Sequence, residues 1–199
     1  MKVFLFHNTE TYSCNTYMAL GTWNAISDVN TLIDVGTDDY ILSRIPFIST
    51  GVGKKPVEQV IITHNHFDHA GGLRHVIERY HPEVLAFSKF EGVTRVLEDG
   101  EYIKIGDRAF EVLNITAHSN DSICLYCSDD KMLFAGDTPL NIKTVGGSYS
   151  FSFIHSLERI ASLDIQTIYS GHDDPITHNA NKIIADTLQN VKRSTIIAN

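Results

Sequence analysis

Between Thr63 and Gly72 the chain reads Thr63-His64-Asn65-His66-Phe67-Asp68-His69-Ala70-Gly71-Gly72, which sets three imidazoles and a carboxylate within six positions. An apolar run from Val57 to Ile62, broken only by Glu58 and Gln59, leads in, and a helical pattern of Leu73, Val76, Ile77 and Tyr80 follows. The stretch therefore reads as a turn from strand to helix. At the end of a strand His64 and His66 point the same way, because side chains alternate with period two, so both can reach one metal ion. Asp68 and His69 stand where the helix starts, and an acidic residue is favourable in a first turn. Gly71 and Gly72 carry no Cβ, so the new helix can approach its neighbours closely. A single histidine beside a strand is more often a satisfied polar residue than a ligand. Several imidazoles crowded together without a metal or a proton partner are electrostatically costly below neutral pH, and coordination is the cheaper explanation.

Further along stand Ile115-Thr116-Ala117-His118-Ser119, Leu133-Phe134-Ala135-Gly136-Asp137-Thr138 and Ile168-Tyr169-Ser170-Gly171-His172-Asp173, each closing an apolar, strand-like run. With the first stretch they resemble the metallo-β-lactamase superfamily, whose leading signature is His-x-His-x-Asp-His and whose later histidine, bridging aspartate and final histidine follow in this order. Asp34, in Leu32-Ile33-Asp34-Val35-Gly36, looks like that family's first aspartate, which orients a ligand from behind. One local departure is Thr116-Ala117, where relatives often carry Pro-Gly.

The resemblance implies an α+β fold, the four-layer αββα sandwich of the metallo-β-lactamase type. Carried across residue by residue, it implies that His64, His66 and His118 hold one divalent ion, that Asp68, His69 and His172 hold a second, and that Asp137 bridges them. Nitrogen and oxygen ligands of this kind suit zinc, the first choice, and also iron or manganese. Two ions ~3.5–4 Å apart can share a water, lower its pKa toward neutrality and clamp the oxyanion formed when it attacks a carbonyl. Asp68 is the candidate catalytic residue, orienting that water or shuttling its proton.

The expected function is a metal-dependent hydrolase of an ester, thioester, lactone or related carbonyl compound. A glutathione thioester carries less weight, because only one helix follows His172 where glyoxalase II enzymes have a further helical region. A β-lactam is weakly supported for want of the cysteine ligand many such enzymes use. Two alternatives come from other classes. In persulfide dioxygenases two histidines and an aspartate, here His64, His118 and Asp137, hold a single iron, and a metal-stabilised module could bind a partner without turnover. The electron-transferring diiron branch departs at the second histidine and carries a flavin domain, which sets it further off.

A chain of 199 residues, 43% of them hydrophobic, is long enough for one well-buried core and short for two, so a single domain over 1–199 is expected. The formal charge of −8, from 24 acidic and 16 basic residues, argues against a nucleic-acid or anionic membrane partner and leaves a small-molecule substrate. No apolar stretch reaches the ~20 residues of a membrane span, and the opening apolar segment is short for a secretory signal, so a cytoplasmic protein is expected. Nothing in the sequence sets the oligomeric state. Cys14, Cys124 and Cys127 form an odd set, which fits a reducing compartment. In a strand Cys124 and Cys127 face opposite sides, so ordinary packing is expected of them rather than a redox or zinc pair.

Strands are expected over Lys2 to His7, Asn15 to Leu20, Asn30 to Val35 and Glu83 to Phe87, then as a meander over Tyr102 to Ile105, Ala109 to Ile115, Ser122 to Cys127 and Met132 to Ala135, with Ile165 to Tyr169 last. Helices are expected through Ile41 and Ile45 up to Pro46, over Lys89 to Leu97 and over Asn179 to Val191; Ser148 to Phe153 alternates like a strand and also fits a helical stripe, and the resemblance implies a helix from about Ser150. Trp23, Phe47 and Phe67 are candidates to line an apolar pocket. His7, His75, His81, His155 and His178 lie apart from the motifs and are read as ordinary structural histidines.

Overall fold

The apolar runs of the first half assemble into one six-stranded sheet in a computed structural model that describes residues 1–197. Its strands lie side by side in chain order: β1 (Lys2–Phe6), β2 (Thr16–Leu20), β3 (Thr31–Ile33), β4 (Gln59–Ile62), β5 (Glu83–Ala86) and β6 (Arg95–Val96). The first three are antiparallel, as their short polar connections predict, and β3 to β6 are parallel. Parallel neighbours need crossovers. The first contains α1 (Tyr40–Arg44) and the second α2 (Phe67–Ala70) and α3 (Leu73–Tyr80).

A second sheet forms from β7 (Tyr102–Ile105), β8 (Arg108–Asn114), β9 (Ile123–Cys127) and β10 (Met132–Gly136), an antiparallel meander. After β11 (Ser148–Ser150) and α4 (Phe151–Ala161) the chain returns as β12 (Thr167–Ser170), parallel to β10. It ends with α5 (Ala180–Lys192) and β13 (Thr195–Ile197), which pairs with β11.

Alternation along the strands builds the layers. Tyr17, Ile33, Ile61 and Leu85 of the first sheet meet Ile103, Phe110, Val112, Leu125 and Phe134 of the second in one buried cluster. Their neighbours in sequence turn outward. Met18, Leu32, Val60 and Ile62 pack on Ile41, Leu73 and Val76 of the helices on one side. Leu113, Cys124, Tyr126 and Leu133 pack on Phe153, Leu157, Ile160 and Ile184 on the other. The result is the expected αββα sandwich. Cys127 joins the cluster between the sheets and Cys124 the outer one, so the two thiols do face opposite sides.

Two expectations are corrected. Lys89 to Leu97 is not a helix. Gly92 takes a left-handed φ of 93°, where an added Cβ would lie 2.8 Å from Ile77 Cδ1, and the chain then runs extended into β6. Thr94 holds it there, its hydroxyl donating to Val84 O (3.1 Å) and accepting from the Val84 N–H (2.9 Å). Nor do the aromatic candidates line a pocket: Trp23, Phe47 and Phe67 are 90%, 85% and 73% exposed. The loops bearing Trp23 and Phe47 enter β3 and β4 at their amino ends, away from the ends where Asp34 and Thr63 lie. Among the described residues no helix is long and apolar enough to cross a membrane.

Candidate metal centre

Because β3 and β4 are parallel and in register at Ile33 and Ile61, the residues that follow them, Asp34 and Thr63, come side by side. Asp34 has a left-handed φ of 55°, a conformation that aspartate tolerates better than most residues. Its Oδ1 accepts the Thr63 N–H (2.8 Å), and its Oδ2 accepts the Thr63 hydroxyl (2.8 Å) and His69 Nδ1 (2.8 Å). The Thr63 oxygen lies 3.2 Å from His64 Nδ1 and can accept from it. Both buried rings are thereby anchored through Nδ1 and aim Nε2 at the open end of the sandwich, the arrangement expected behind metal ligands.

The other members arrive on loops that are tied to this end. His118 follows β8 in a tight turn, with the Ala117 N–H donating to Ile115 O (2.8 Å), so Thr116-Ala117 still delivers the imidazole. Asp121 accepts from the Ser119 hydroxyl (2.6 Å), the Ser88 hydroxyl (3.1 Å) and the Asn65 N–H (3.0 Å), fastening that turn to the first motif. His172 follows β12, where Asn15 Nδ2 donates to Ser170 O (3.0 Å) and Asp173 O (2.9 Å). His7 and Asn15 bond at 2.8 Å, so His7 steadies the Asn15 amide. Tyr12, largely exposed, stacks on the His172 ring at 5.4 Å. Sequence reading did not single out Thr63, Asp121, Asn15 or Tyr12, since their roles depend on partners far along the chain.

Two groups of donor atoms result: His64, His66 and His118, and Asp68, His69, Asp137 and His172. In the first, His66 Nδ1 lies 3.0 Å from His64 Nε2 and 2.9 Å from His118 Nε2. In the second, His172 Nε2 lies 3.0 Å from Asp68 Oδ2, and His69 Nε2 lies 3.2 Å from Asp137 Oδ1. Asp137 Oδ2 stands between the groups, 3.8 Å from His64 Nε2, 3.6 Å from His118 Nε2 and 3.4 Å from His172 Nε2. Bonds of ~2.0–2.1 Å to a tetrahedral ion separate ligands by roughly 3.3 Å, so these spacings suit such a centre.

Three observations test the fit further. Asp68 Oδ2, His69 Nε2 and Asp137 Oδ1 are buried without a well-aligned hydrogen bond among the described residues, although His172 Nε2 is near Asp68 Oδ2 and His69 Nε2 near Asp137 Oδ1. Buried polar atoms left in this way call for a partner such as an ion. A Cβ on Gly171 would lie 2.2 Å from Asp137 Oδ1 and 2.9 Å from His69 Cε1, so glycine keeps that space clear. The charges also suit cation binding. Burial, with the adjacent His69 charge, pushes His64 down to about 4, leaving a neutral ring. Burial would raise the Asp137 carboxyl, but the His69, His172 and His64 imidazoles beside it hold it at about 2. His69 is the exception: burial would lower it, but the Asp34 carboxylate, with Asp137, outweighs that and holds the imidazole well above its usual range, so an ion at Nε2 must displace a proton. His7, His75, His81, His155 and His178 belong to none of the donor groups.

A third group, Cys14 with Asp34 and His69, lies behind the centre and is buried throughout. Burial pushes the Cys14 thiol up to about 11, which keeps it protonated at neutral pH.

Comparison with known proteins bears on the family and the fold. The family model described as metallo-beta-lactamase superfamily matches residues 13–90 and 83–172. Over 121 residues the chain is 31% identical to a hydroxyacylglutathione hydrolase of Rhodopseudomonas palustris, covering 57% of this chain and 48% of that protein. It is 27% identical over 188 residues to an atrochrysone carboxyl ACP thioesterase of Aspergillus fumigatus, covering 82% of this chain and 59% of that one. The chain spans about half the length of the hydroxyacylglutathione hydrolases it matches. Among solved structures, ETHE1 from Myxococcus xanthus superposes with a TM-score of 0.69 over 96% of this chain and 88% of that one; at 20% identity the likeness is one of fold.

Proposed function

The chain belongs to the metallo-β-lactamase superfamily, and from that premise we propose that it is a metal-dependent hydrolase of acyl thioesters or closely related esters and lactones. The observation that supports this most is the place of Asp137 Oδ2, within 3.4–3.8 Å of donor nitrogens from both groups. His64, His66 and His118 would hold one ion and Asp68, His69 and His172 the other, with Asp137 shared. Zinc is the first choice for such nitrogen and oxygen donors, with iron or manganese compatible. Bound ions of this kind acidify water and stabilise the oxyanion of carbonyl attack.

The chain's own residues supply the rest. Asp34 and Thr63 fix the tautomers and directions of His69 and His64. Asp68, in the first turn of α2 and 3.0 Å from His172 Nε2, takes the proton from the attacking water and returns it to the departing thiolate. No serine or cysteine nucleophile is required, and the buried Cys14 thiol is unsuited to that role. Relatives whose names are hydroxyacylglutathione hydrolase and ACP thioesterase support an acyl group carried on a thiol.

The test is metal analysis of protein purified without added metal, followed by thioester, ester and lactone substrates beside an oxygen electrode supplied with a persulfide. Two ions per chain and hydrolysis are expected, with Asp68→Asn at least about a hundredfold slower. One iron per chain and iron-dependent oxygen uptake without hydrolysis would replace this proposal with a mononuclear oxygenase.

A further inference from the structure

A cavity of about 280 Å³ opens directly beside the centre. One side is formed by His118, Asp137 and His172, so it faces both donor groups. The other side is formed by Leu140, a member of the apolar cluster under α4 and α5, and by Ile142 and Ile176, partly buried against that cluster, with Thr138, Asn141 and Ser170 adding polar groups to the lining. These walls are fastened rather than draped. The buried Thr187 hydroxyl donates to Leu140 O (2.9 Å) and accepts the Ile142 N–H (2.9 Å), and Asn190 Nδ2 donates to Ile142 O (2.8 Å). Ile176 exchanges both backbone bonds with Ile168 of β12, at 2.8 and 2.9 Å. No lysine or arginine lines the cavity, and its charged rim residue beyond the centre is Asp173.

We propose that this cavity binds the acyl part of the substrate and selects short, uncharged aliphatic acyl groups. The inference rests on the hydrolase reading above and adds the substrate class. A carbonyl placed at Asp137 has its acyl chain at the cavity mouth, against Leu140, Ile142 and Ile176. The volume falls just below the ~300–1,000 Å³ of sites that enclose a drug-sized ligand, so it holds one small moiety while the bulk of a thiol carrier stays outside. A carboxylate at the far end of the acyl chain would lie beside the like charge of Asp173 with no lysine or arginine in the lining to meet it, which disfavours it.

The experiment uses the zinc-loaded chain and a series of thioesters of one thiol with acetyl, butyryl, hexanoyl, dodecanoyl and succinyl groups. Expected are a rise in kcat/KM of roughly fourfold per methylene from acetyl to butyryl and a fall of at least about tenfold from hexanoyl to dodecanoyl. Butyryl should exceed succinyl by at least about tenfold. Ile142→Trp, which fills the cavity, should reduce the butyryl-to-acetyl ratio by at least about tenfold, and Ile176→Ala should move the optimum to longer chains. Because these are ratios within one protein, partial unfolding of a variant leaves them readable. A flat chain-length profile, or selectivity that follows the alkyl group of the thiol instead, overturns the assignment. Loss of all hydrolysis points to the hydrolase reading itself. Saturation-transfer NMR with butyramide then decides the cavity separately. Binding by the wild type that succinamate does not share, and that Ile142→Trp abolishes, supports the cavity; equal signals from both ligands or both proteins overturn it.

Discussion

Asp34 contributes no atom to either donor group across the front of the centre, yet it accepts three hydrogen bonds at 2.8 Å, from the Thr63 N–H, the Thr63 hydroxyl and His69 Nδ1. An asparagine there keeps one acceptor and turns the other into a donor that faces two donors. Groups in this position typically govern metal affinity by 10–100-fold. Asp34→Asn should therefore weaken the metal held with His69 by about that factor and the one held with His64 less, since it reaches His64 only through Thr63, as read by competition with a chromophoric chelator; equal affinities in variant and wild type would refute the orienting role. Asp137 calls for a different outcome, because its Oδ2 faces His64, His118 and His172 together. Asp137→Asn should lower occupancy at both positions, and full two-metal occupancy in that variant counts against bridging. The seven candidate ligands were legible in the sequence because each follows a strand or opens a helix, positions that fix direction. Thr63, Asn15, Asp121 and Thr187 were not, since a lone polar residue gains its meaning only from the distant backbone groups it meets.

At the scale of elements, the centre depends on how tightly β10, β12 and the turn after β4 converge. Gly171 is the point of closest approach: its N–H donates to Gly136 O (2.8 Å), and an added Cβ would lie 2.2 Å from Asp137 Oδ1. Its φ is not left-handed, so alanine's effect comes through contacts of the added Cβ, first with Asp137 and His69 and then with Gly136 C at 3.2 Å. Gly171→Ala should push Asp137 and His69 apart, with at least about a tenfold loss of metal affinity and little change in far-UV circular dichroism. Normal metal binding in this variant would show that the ligands tolerate the displacement. Element reading from sequence succeeded where periodicity and end signals agreed. The terminal helix α5 is such a case, while over Ser148 to Phe153 the two periodicities conflict and the family resemblance placed the start of α4, where the Ser150 hydroxyl accepts the Phe153 N–H (3.2 Å). It failed over Lys89 to Leu97, where the helical spacing of apolar residues was overridden by the left-handed Gly92 and by the pairing of Thr94 with Val84.

For the whole molecule, the centre joins the two sheets at one end. Its members follow β4 in the first sheet and β8, β10 and β12 in the second, so the ions would act as a clasp on a sandwich otherwise held by the apolar layer between the sheets. The layers could be read from alternation, as the opposed Cys124 and Cys127 illustrate. The position of the Trp23 and Phe47 loops could not, because it depends on which ends of β3 and β4 they enter. Without the ions, the carboxylates of buried Asp34 and half-buried Asp68 and Asp137 crowd one site. A ligand that binds only the folded state at a hundred times its Kd stabilises by ~2.7 kcal/mol, and in a chain of this length each kcal/mol moves Tm by ~2–4 °C. Chelation of one such ion should therefore lower Tm by roughly 5–10 °C, and re-addition of zinc should restore it. Phe110→Ala, in the cluster between the sheets that contains none of the candidate ligands, should cost ~3–5 kcal/mol and change the metal-dependent increment little, because sites that share no partner add. Differential scanning calorimetry of both proteins with and without chelator measures the two contributions independently. An unchanged Tm after complete metal removal would mean that the sandwich closes without the clasp.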